Sequence, residues 1–248
     1  MEAIQKIIDQ FSSISLKKMD NVKLLNRVDT KFLCPVGKIH EILHDLVSLY
    51  KVLEISDERI MSYRTKYYDT ENFKMFREHQ NGKLNRYKIR EREYLDSDLK
   101  FLEIKFKSNK RRTLKSRIIK PENTQCFNNK EIDFLDYKSP FSSDELEVKL
   151  VNTFKRLTLT NGKERITVDF DLKFISANGN VGMLPSLVIV EVKQEKFSME
   201  SKVIQVLKEH GIRSASFSKY CIGATLVYTN LKSNRFKSKI LMINKISA

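Results

Sequence analysis

The chain has 248 residues, of which 41% are hydrophobic and 31% charged, so it suits one large domain or two small ones, folded almost throughout. A net charge of +15 implies a polyanionic partner: nucleic acid, an anionic membrane surface or a phosphate-rich small molecule. Three scattered cysteines (Cys34, Cys126, Cys221) give neither a disulfide framework nor a metal-binding spacing, no apolar run nears the ~20 residues of a membrane span, and MEAIQKIIDQF is not a signal peptide, so a cytoplasmic protein is expected.

Residues 2–11 and 15–26 read as helices, and Val28 to Cys34 as a strand that alternates and stops at Pro35. From Gly37 to Leu49, apolar residues at 39, 42, 43, 46 and 47 follow a helical period. Met61 to Asp69 reads as a Tyr-rich strand, 71–79 as a short helix and Asn81–Gly82 as a turn. Strands are predicted over 83–94, 100–108 and 111–120, then helices over 130–137 and 144–151. NTFKRLTLT and KERITVDFDL flank Asn161–Gly162, a type I′ hairpin signal. A buried strand over 187–194 precedes a helix over 198–210, with Ser198 as N-cap and Gly211 as its stop. Residues 216–228 read as the last long strand. The basic segment 231–248 reads as a solvated tail on a domain covering 1–230, although it could touch a membrane or a partner. Most gaps are too short for crossovers, so antiparallel connections dominate.

The strands share an unusual pattern. In a strand, residues i and i+2 point to one side. Arg90 and Arg92 therefore share a face, as do Glu103, Lys105 and Lys107, while Leu102, Ile104 and Phe106 take the other. Lys115 pairs with Arg117, Glu191 with Lys193, and Arg165, Thr167, Asp169 and Asp171 line up together. Two architectures explain this: an open sheet with one wet face, or a closed barrel with charges around a lumen. A lumen holding water, metal and phosphates tolerates such charges; a dry core does not.

Two other signals stand in the sequence. His40–Glu41–Ile42–Leu43–His44 matches the zincin pattern H-E-x-x-H, yet no clear third ligand follows, and an amphipathic helix with Ile39, Leu43 and Leu46 inward explains it as well. Tyr63, Tyr67, Tyr68, Tyr87 and Tyr94 could stack on bases, but strand tyrosines are more often packing residues and no nucleic-acid motif is complete, so nucleic acid is set aside.

Seven stretches in order carry a family resemblance: MDNVKLLNRVDTKF (19–32), SYRTKYYDT (62–70), NGKLNRYKIREREY (81–94), FLEIKFK (101–107), FKRLTLTNGKERITVDFDL (154–172), VIVEVKQ (188–194) and FSKYCIG (217–223). The chain resembles the VTC domain, the catalytic domain of vacuolar transporter chaperone polyphosphate polymerases. That domain belongs to the CYTH-like triphosphate tunnel superfamily, and the N-terminal motif looks closest to its free-standing bacterial branch. The resemblance implies an α+β fold: a closed antiparallel eight-stranded β-barrel with helices packed outside. It implies catalytic roles for Arg90, Arg92, Lys105, Arg156, Arg165 and Lys219, with Ser218 and Lys219 as an SK motif on the last strand. Lys31, Lys107, Lys193 and Ser218 would bind phosphate, with Lys107 standing where some members carry a histidine. Glu191 would bind Mn or Mg with Glu103, Asp169 or Asp171 helping. RVDTKF replaces the superfamily's EXEXK, removing carboxylates and favouring a polymerase over a two-metal hydrolase. The implied function is transfer of the ATP γ-phosphate onto polyphosphate, beside a separate membrane protein as in other members. A triphosphatase and a non-catalytic polyanion-binding module remain the alternatives. The chemistry agrees with the residue types, because phosphoryl transfer needs positioning and charge neutralisation, which Arg forks and Lys point charges supply.

Overall fold

The computed structural model describes residues 2–20, 28–110, 113–120 and 126–247. Helix α1 (Glu2–Ile8), strand β1 (Ser12–Ser15) and helix α2 (Leu16–Asp20) open the chain. Residues 21–26 of the expected second helix lie outside the described residues, as do 111 and 112 at the start of the strand expected over 111–120. Strand β2 (Val28–Pro35) leads into α3 (Ile39–Leu46), β3 (Lys51–Glu54), β4 (Ile60–Asp69) and α4 (Lys74–Gln80). Three strands follow, β5 (Arg86–Tyr94), β6 (Leu99–Lys107) and β7 (Thr113–Ile119), then α5 (Asn129–Lys138). The second half comprises β8 (Glu147–Thr160), β9 (Arg165–Ser176), β10 (Val181–Leu184), β11 (Leu187–Gln194), α6 (Lys202–Glu209), α7 (Lys219–Val227) and α8 (Lys237–Ser247).

One sheet runs in the order β2-β11-β9-β8-β4-β5-β6-β7, with every neighbouring pair on this path antiparallel. The expected count of eight main strands holds, but the expected closure does not appear: among the described residues, β2 and β7 do not pair with each other. The reason lies at β2. Its outer edge is taken by the chain before α7, where the Ala215 amide donates to the Lys31 carbonyl at 2.8 Å and Ser214 bridges Phe32. Backbone groups already satisfied there cannot pair with β7.

One face of the sheet is covered by helices. Ile166, Val168 and Phe170 of β9, Val188, Val190 and Val192 of β11, and Phe32 and Cys34 of β2 pack with Ile7 and Ile8 of α1, Ile39, Ile42, Leu43 and Leu46 of α3 and Val203, Ile204 and Leu207 of α6. These are the apolar alternates of the charged strands. The zincin-like motif belongs to this layer: Ile39, Leu43 and Leu46 are buried while His40 and His44 are exposed.

Several expectations fail locally. Residues 144–151 form a 3₁₀ turn (Ser143–Glu145) and then the start of β8, because EVKLV continues the strand alternation. Residues 216–228 are not a strand: from Lys219 they form α7, capped by Ser218, whose hydroxyl accepts from the Cys221 amide. YCIGATLV is apolar on all sides because this helix is buried on all sides, so it lacks an amphipathic period. Gly223 permits its close approach, since a Cβ there would sit 2.3 Å from Phe174 Cδ1 and 2.8 Å from Leu150 Cδ2. The N-cap of α6 is Ser201, not Ser198, and Gly211 ends that segment at φ +74. The hairpin turn falls where expected but is not type I′. Asn161 is not left-handed; its side chain accepts from the Lys163 and Glu164 amides at 3.0 Å while Gly162 carries the positive φ of +85. The segment expected as a solvated tail folds as a 3₁₀ turn (Asn234–Phe236) and α8, placing Phe236 (6% exposed) and Ile243 (1% exposed) in the same apolar cluster as α7.

Candidate functional site

Strand pairing places the charged alternates on one shared face. Across β5–β6, Lys88 lies opposite Lys105, Arg90 opposite Glu103 and Arg86 opposite Lys107. Glu103 and Lys105 lie opposite Arg117 and Lys115 of β7. On the other side of β5, Arg90 and Arg92 lie opposite Tyr67 and Thr65 of β4. The same parity continues through Arg156–Asp169 and Thr160–Arg165 of the β8–β9 hairpin, Thr167–Glu191 and Arg165–Lys193 of β9–β11, and Glu191–Lys31 and Lys193–Asp29 of β11–β2. The predicted residues Lys31, Arg90, Arg92, Glu103, Lys105, Lys107, Arg156, Arg165, Glu191 and Lys193 thus all lie on this face.

Helix α7 fills one end of it. Tyr220 stacks on Tyr67 with centroids 5.2 Å apart, and its hydroxyl donates to Asp69. Asp69 in turn accepts from the Met75 and Phe76 amides at 2.9 Å, tying α4 to α7. This places Ser218 and Lys219 at the charged face from a helix start rather than from a strand. Lys219 Nζ donates to Asp169 and lies over the Phe154 ring.

The carboxylates of the face are all engaged by cations. Arg156 forks onto Asp169 at 2.5 and 2.8 Å. Glu103 is fully buried between Arg90, at 2.6 and 2.8 Å, and Lys115. Glu191 takes Lys193 at 2.7 Å and, more loosely, Lys31 at 3.4 Å. Burial would raise all three carboxyls, but the neighbouring cations win: Arg90, Arg92 and Lys115 at Glu103, Arg156 and Lys219 at Asp169, and Lys193 and Lys31 at Glu191. Each carboxyl is held well below its ordinary range and stays ionised. Asp171, expected beside Asp169, turns away. Its φ of +53 breaks the alternation, and it pairs outside with Lys155 at 3.3 Å.

The cations outnumber these carboxylates, and two stand out. Arg92 is 8% exposed, has no ion-pair partner among the described residues, and its Nε lacks any hydrogen-bond acceptor. Its guanidinium lies over the Tyr63 and Phe154 rings at 5.7 and 6.0 Å. Lys105 also has no carboxylate within ion-pairing reach among the described residues; Arg90, then burial and Arg92, pull its ammonium well below the ordinary lysine value. Burial pushes Lys88 and Lys115 down to about 8. Crowded cations that depress one another form an electrostatic hole that an anion fills. Lys88 was missed in the sequence although it precedes Arg90 by two residues; the period that singled out Arg90 and Arg92 also reaches it.

A divalent metal was expected on Glu191 and Glu103. Among the described residues no three His, Cys, Asp or Glu side chains converge to hold an ion. Glu103, clamped by Arg90 and Lys115, does not suit a metal. Glu191, with its loose Lys31 contact, suits an ion that takes one carboxylate and fills its other positions with phosphate and water, as Mg²⁺ commonly does.

The profile of the VTC domain matches residues 26–228. The chain belongs to the VTC-domain family. Solved structures of similar fold include proteins described as adenylate cyclases. A protein proposed as an adenylate cyclase from Bacillus halodurans is 14% identical, with a TM-score of 0.52 over 78% of this chain and 94% of that one. Another proposed adenylate cyclase, from Vibrio parahaemolyticus, is 14% identical with a TM-score of 0.49 over 79% and 97%. A third, from Hippeastrum, reported to have a dominant triphosphatase activity, is 12% identical with a TM-score of 0.49 over 80% and 95%. No curated protein matches the chain. At 14% identity the Bacillus protein shows a shared fold alone. No helix among the described residues is long and apolar enough to cross a membrane.

Proposed function

We propose that this VTC domain is a polyphosphate polymerase, which transfers the γ-phosphate of ATP onto a growing polyphosphate chain held along the charged face. The observation that carries this reading is the pair Arg92 and Lys105, cations on one charged face with no carboxylate within ion-pairing reach among the described residues. An unpaired buried cation is costly unless an anion arrives, and a phosphate chain brings one charge after another.

The residues divide the work. Arg92 and Lys105 neutralise the transferring phosphoryl group. Arg90 and Arg156 are fixed by Glu103 and Asp169, so their remaining N–H donors are aimed before the substrate binds, which is the preorganisation phosphoryl transfer rewards. Arg165, Lys193, Lys31, Lys107 and Ser218 extend the grip along the chain. Lys219, at the start of α7, crowds Asp169 and orients it. A terminal phosphate oxygen of the acceptor attacks the γ-phosphorus, the new P–O bond forms, the bond to the β-phosphate oxygen breaks, and ADP leaves. The attacking phosphate is already ionised near neutral pH, so no side chain need remove a proton. Mn²⁺ or Mg²⁺ held by Glu191 would add charge neutralisation on phosphate oxygens.

The test is incubation of purified protein with ATP and Mn²⁺, followed by separate assays for ADP, long-chain polyphosphate and free phosphate. Polymer with stoichiometric ADP is expected. Free phosphate without polymer would instead make the groove a triphosphatase. Polyphosphate binding with neither product would leave a non-catalytic module.

A further inference from the structure

Three lysines from three separate elements converge on three consecutive residues just before α7. Lys239 Nζ, from α8, donates to the Ser216 hydroxyl. Lys31 Nζ, from β2, donates to the Phe217 carbonyl at 3.4 Å. Lys88 Nζ, from β5, donates to the Ser218 hydroxyl at 3.0 Å. Neither Lys88 nor Lys239 has a carboxylate partner among the described residues, and Glu191 reaches only Lys31. Neutral oxygens hold Lys88 and Lys239, so those two charges are positioned but not cancelled, and Lys31 is only loosely offset by Glu191.

The surroundings add more positive charge. Arg86 and Lys107 face each other one step farther along β5 and β6. His79 of α4 has a buried Nδ1 without a hydrogen-bond partner among the described residues. Burial first, then Lys88, Arg86, Lys239 and Lys107, push its imidazole down to about 2, so it is neutral. Ser218 caps α7, whose N-terminal dipole adds to the positive potential at the same point.

We propose that Lys88 and Lys239, together with Lys31, form a subsite at residues 216–218 for the terminal phosphate of a linear inorganic polyphosphate. The subsite lies at the end of the groove that α7 fills, so a chain runs from the Arg92–Lys105 pair toward α7 and stops there. A terminal phosphate carries more charge and more free oxygens than an internal one, which suits three separate ammonium donors over a single one. The C-terminal helix α8 is then part of the binding machinery. The inference rests on the phosphate reading of the groove.

Isothermal titration with sodium tripolyphosphate, without metal, tests it on the full-length protein. Lys239→Ala is expected to weaken binding about tenfold, the scale of one charge-assisted hydrogen bond. Lys239→Arg should recover most of that loss, and Lys237→Ala, an exposed lysine on the same helix, should bind as wild type. Melting curves for each variant separate a folding defect from a binding defect. If Arg92→Ala loses affinity while Lys239→Ala binds as wild type, the terminal subsite is wrong and the groove stands. If the wild-type protein binds no tripolyphosphate, both readings fall.

Discussion

Replacing Lys88 by Met should make the ligand-free protein more stable and the phosphate-bound protein less so. The Lys88 ammonium is part-buried, with one neutral hydrogen-bond partner in Ser218 and no carboxylate partner among the described residues. Burial lowers it from 10.5 to about 8, which corresponds to about 3 kcal/mol of penalty on the charged form. Some water reaches the side chain, and the lost hydrogen bond to Ser218 costs about 1 kcal/mol, so a net gain of about 1 kcal/mol remains. For a chain this long, that raises Tm by about 2–4 °C. The sign with pH follows from the direction of the shift. The folded value lies below the unfolded one, so the penalty is complete below pH 8 and fades as pH rises from 8 toward 10.5. Thermal unfolding followed by circular dichroism at pH 7 and pH 10 reads both effects. Saturating tripolyphosphate at pH 7 should reverse the order, raising wild-type Tm more than that of the variant. A variant that melts below wild type at pH 7 without ligand, or a gap unchanged at pH 10, would mean that the Lys88 ammonium carries no burial penalty.

Further outcomes follow from other contacts. Arg92→Ala should lower tripolyphosphate affinity at least about tenfold and flatten its dependence on ionic strength, measured by titration in increasing NaCl, because one screened charge is gone. Glu103→Gln should destabilise the fold by about 3 kcal/mol in urea unfolding, since Arg90 and Lys115 lose their buried counter-charge. Wild-type stability in that variant would mean that the clamp does not hold Arg90. The stability given by Glu103, Asp169 and Glu191 should be present above about pH 4 and drain away as pH falls below it, because all three carboxyls are depressed in the folded state; an acid titration of unfolding free energy checks the slope. Gly223→Ala should cost about 1–3 kcal/mol by driving a methyl into Phe174 and Leu150, and unchanged stability would contradict the packing of α7.

Much of the site was legible because charge on a strand has a two-residue period. Arg90, Arg92, Glu103, Lys105, Glu191 and Lys193 were placed on shared faces from spacing alone, and the register joins those faces into one. What spacing could not give was the direction of that surface or its closure. Those depend on partners far away in sequence, such as Ala215 capping the edge of β2. Asp171 escaped because one left-handed residue reverses the alternation without any glycine to mark it. Helix α7 was misread as a strand because its β-branched and apolar residues satisfy a buried strand and a fully buried helix equally well. The same ambiguity hid α8, whose lysines suggested a solvated tail although Ile243 is buried.

The central claim is that phosphates lie along the charged face between Arg92 and Lys105. A crystal structure of the protein grown with tripolyphosphate tests it most directly. Three phosphoryl groups are expected along the charged face, with oxygens within hydrogen-bond distance of Arg92 Nε and Lys105 Nζ. A triphosphate ordered on the outer surface, with that face covered by water alone, would contradict it.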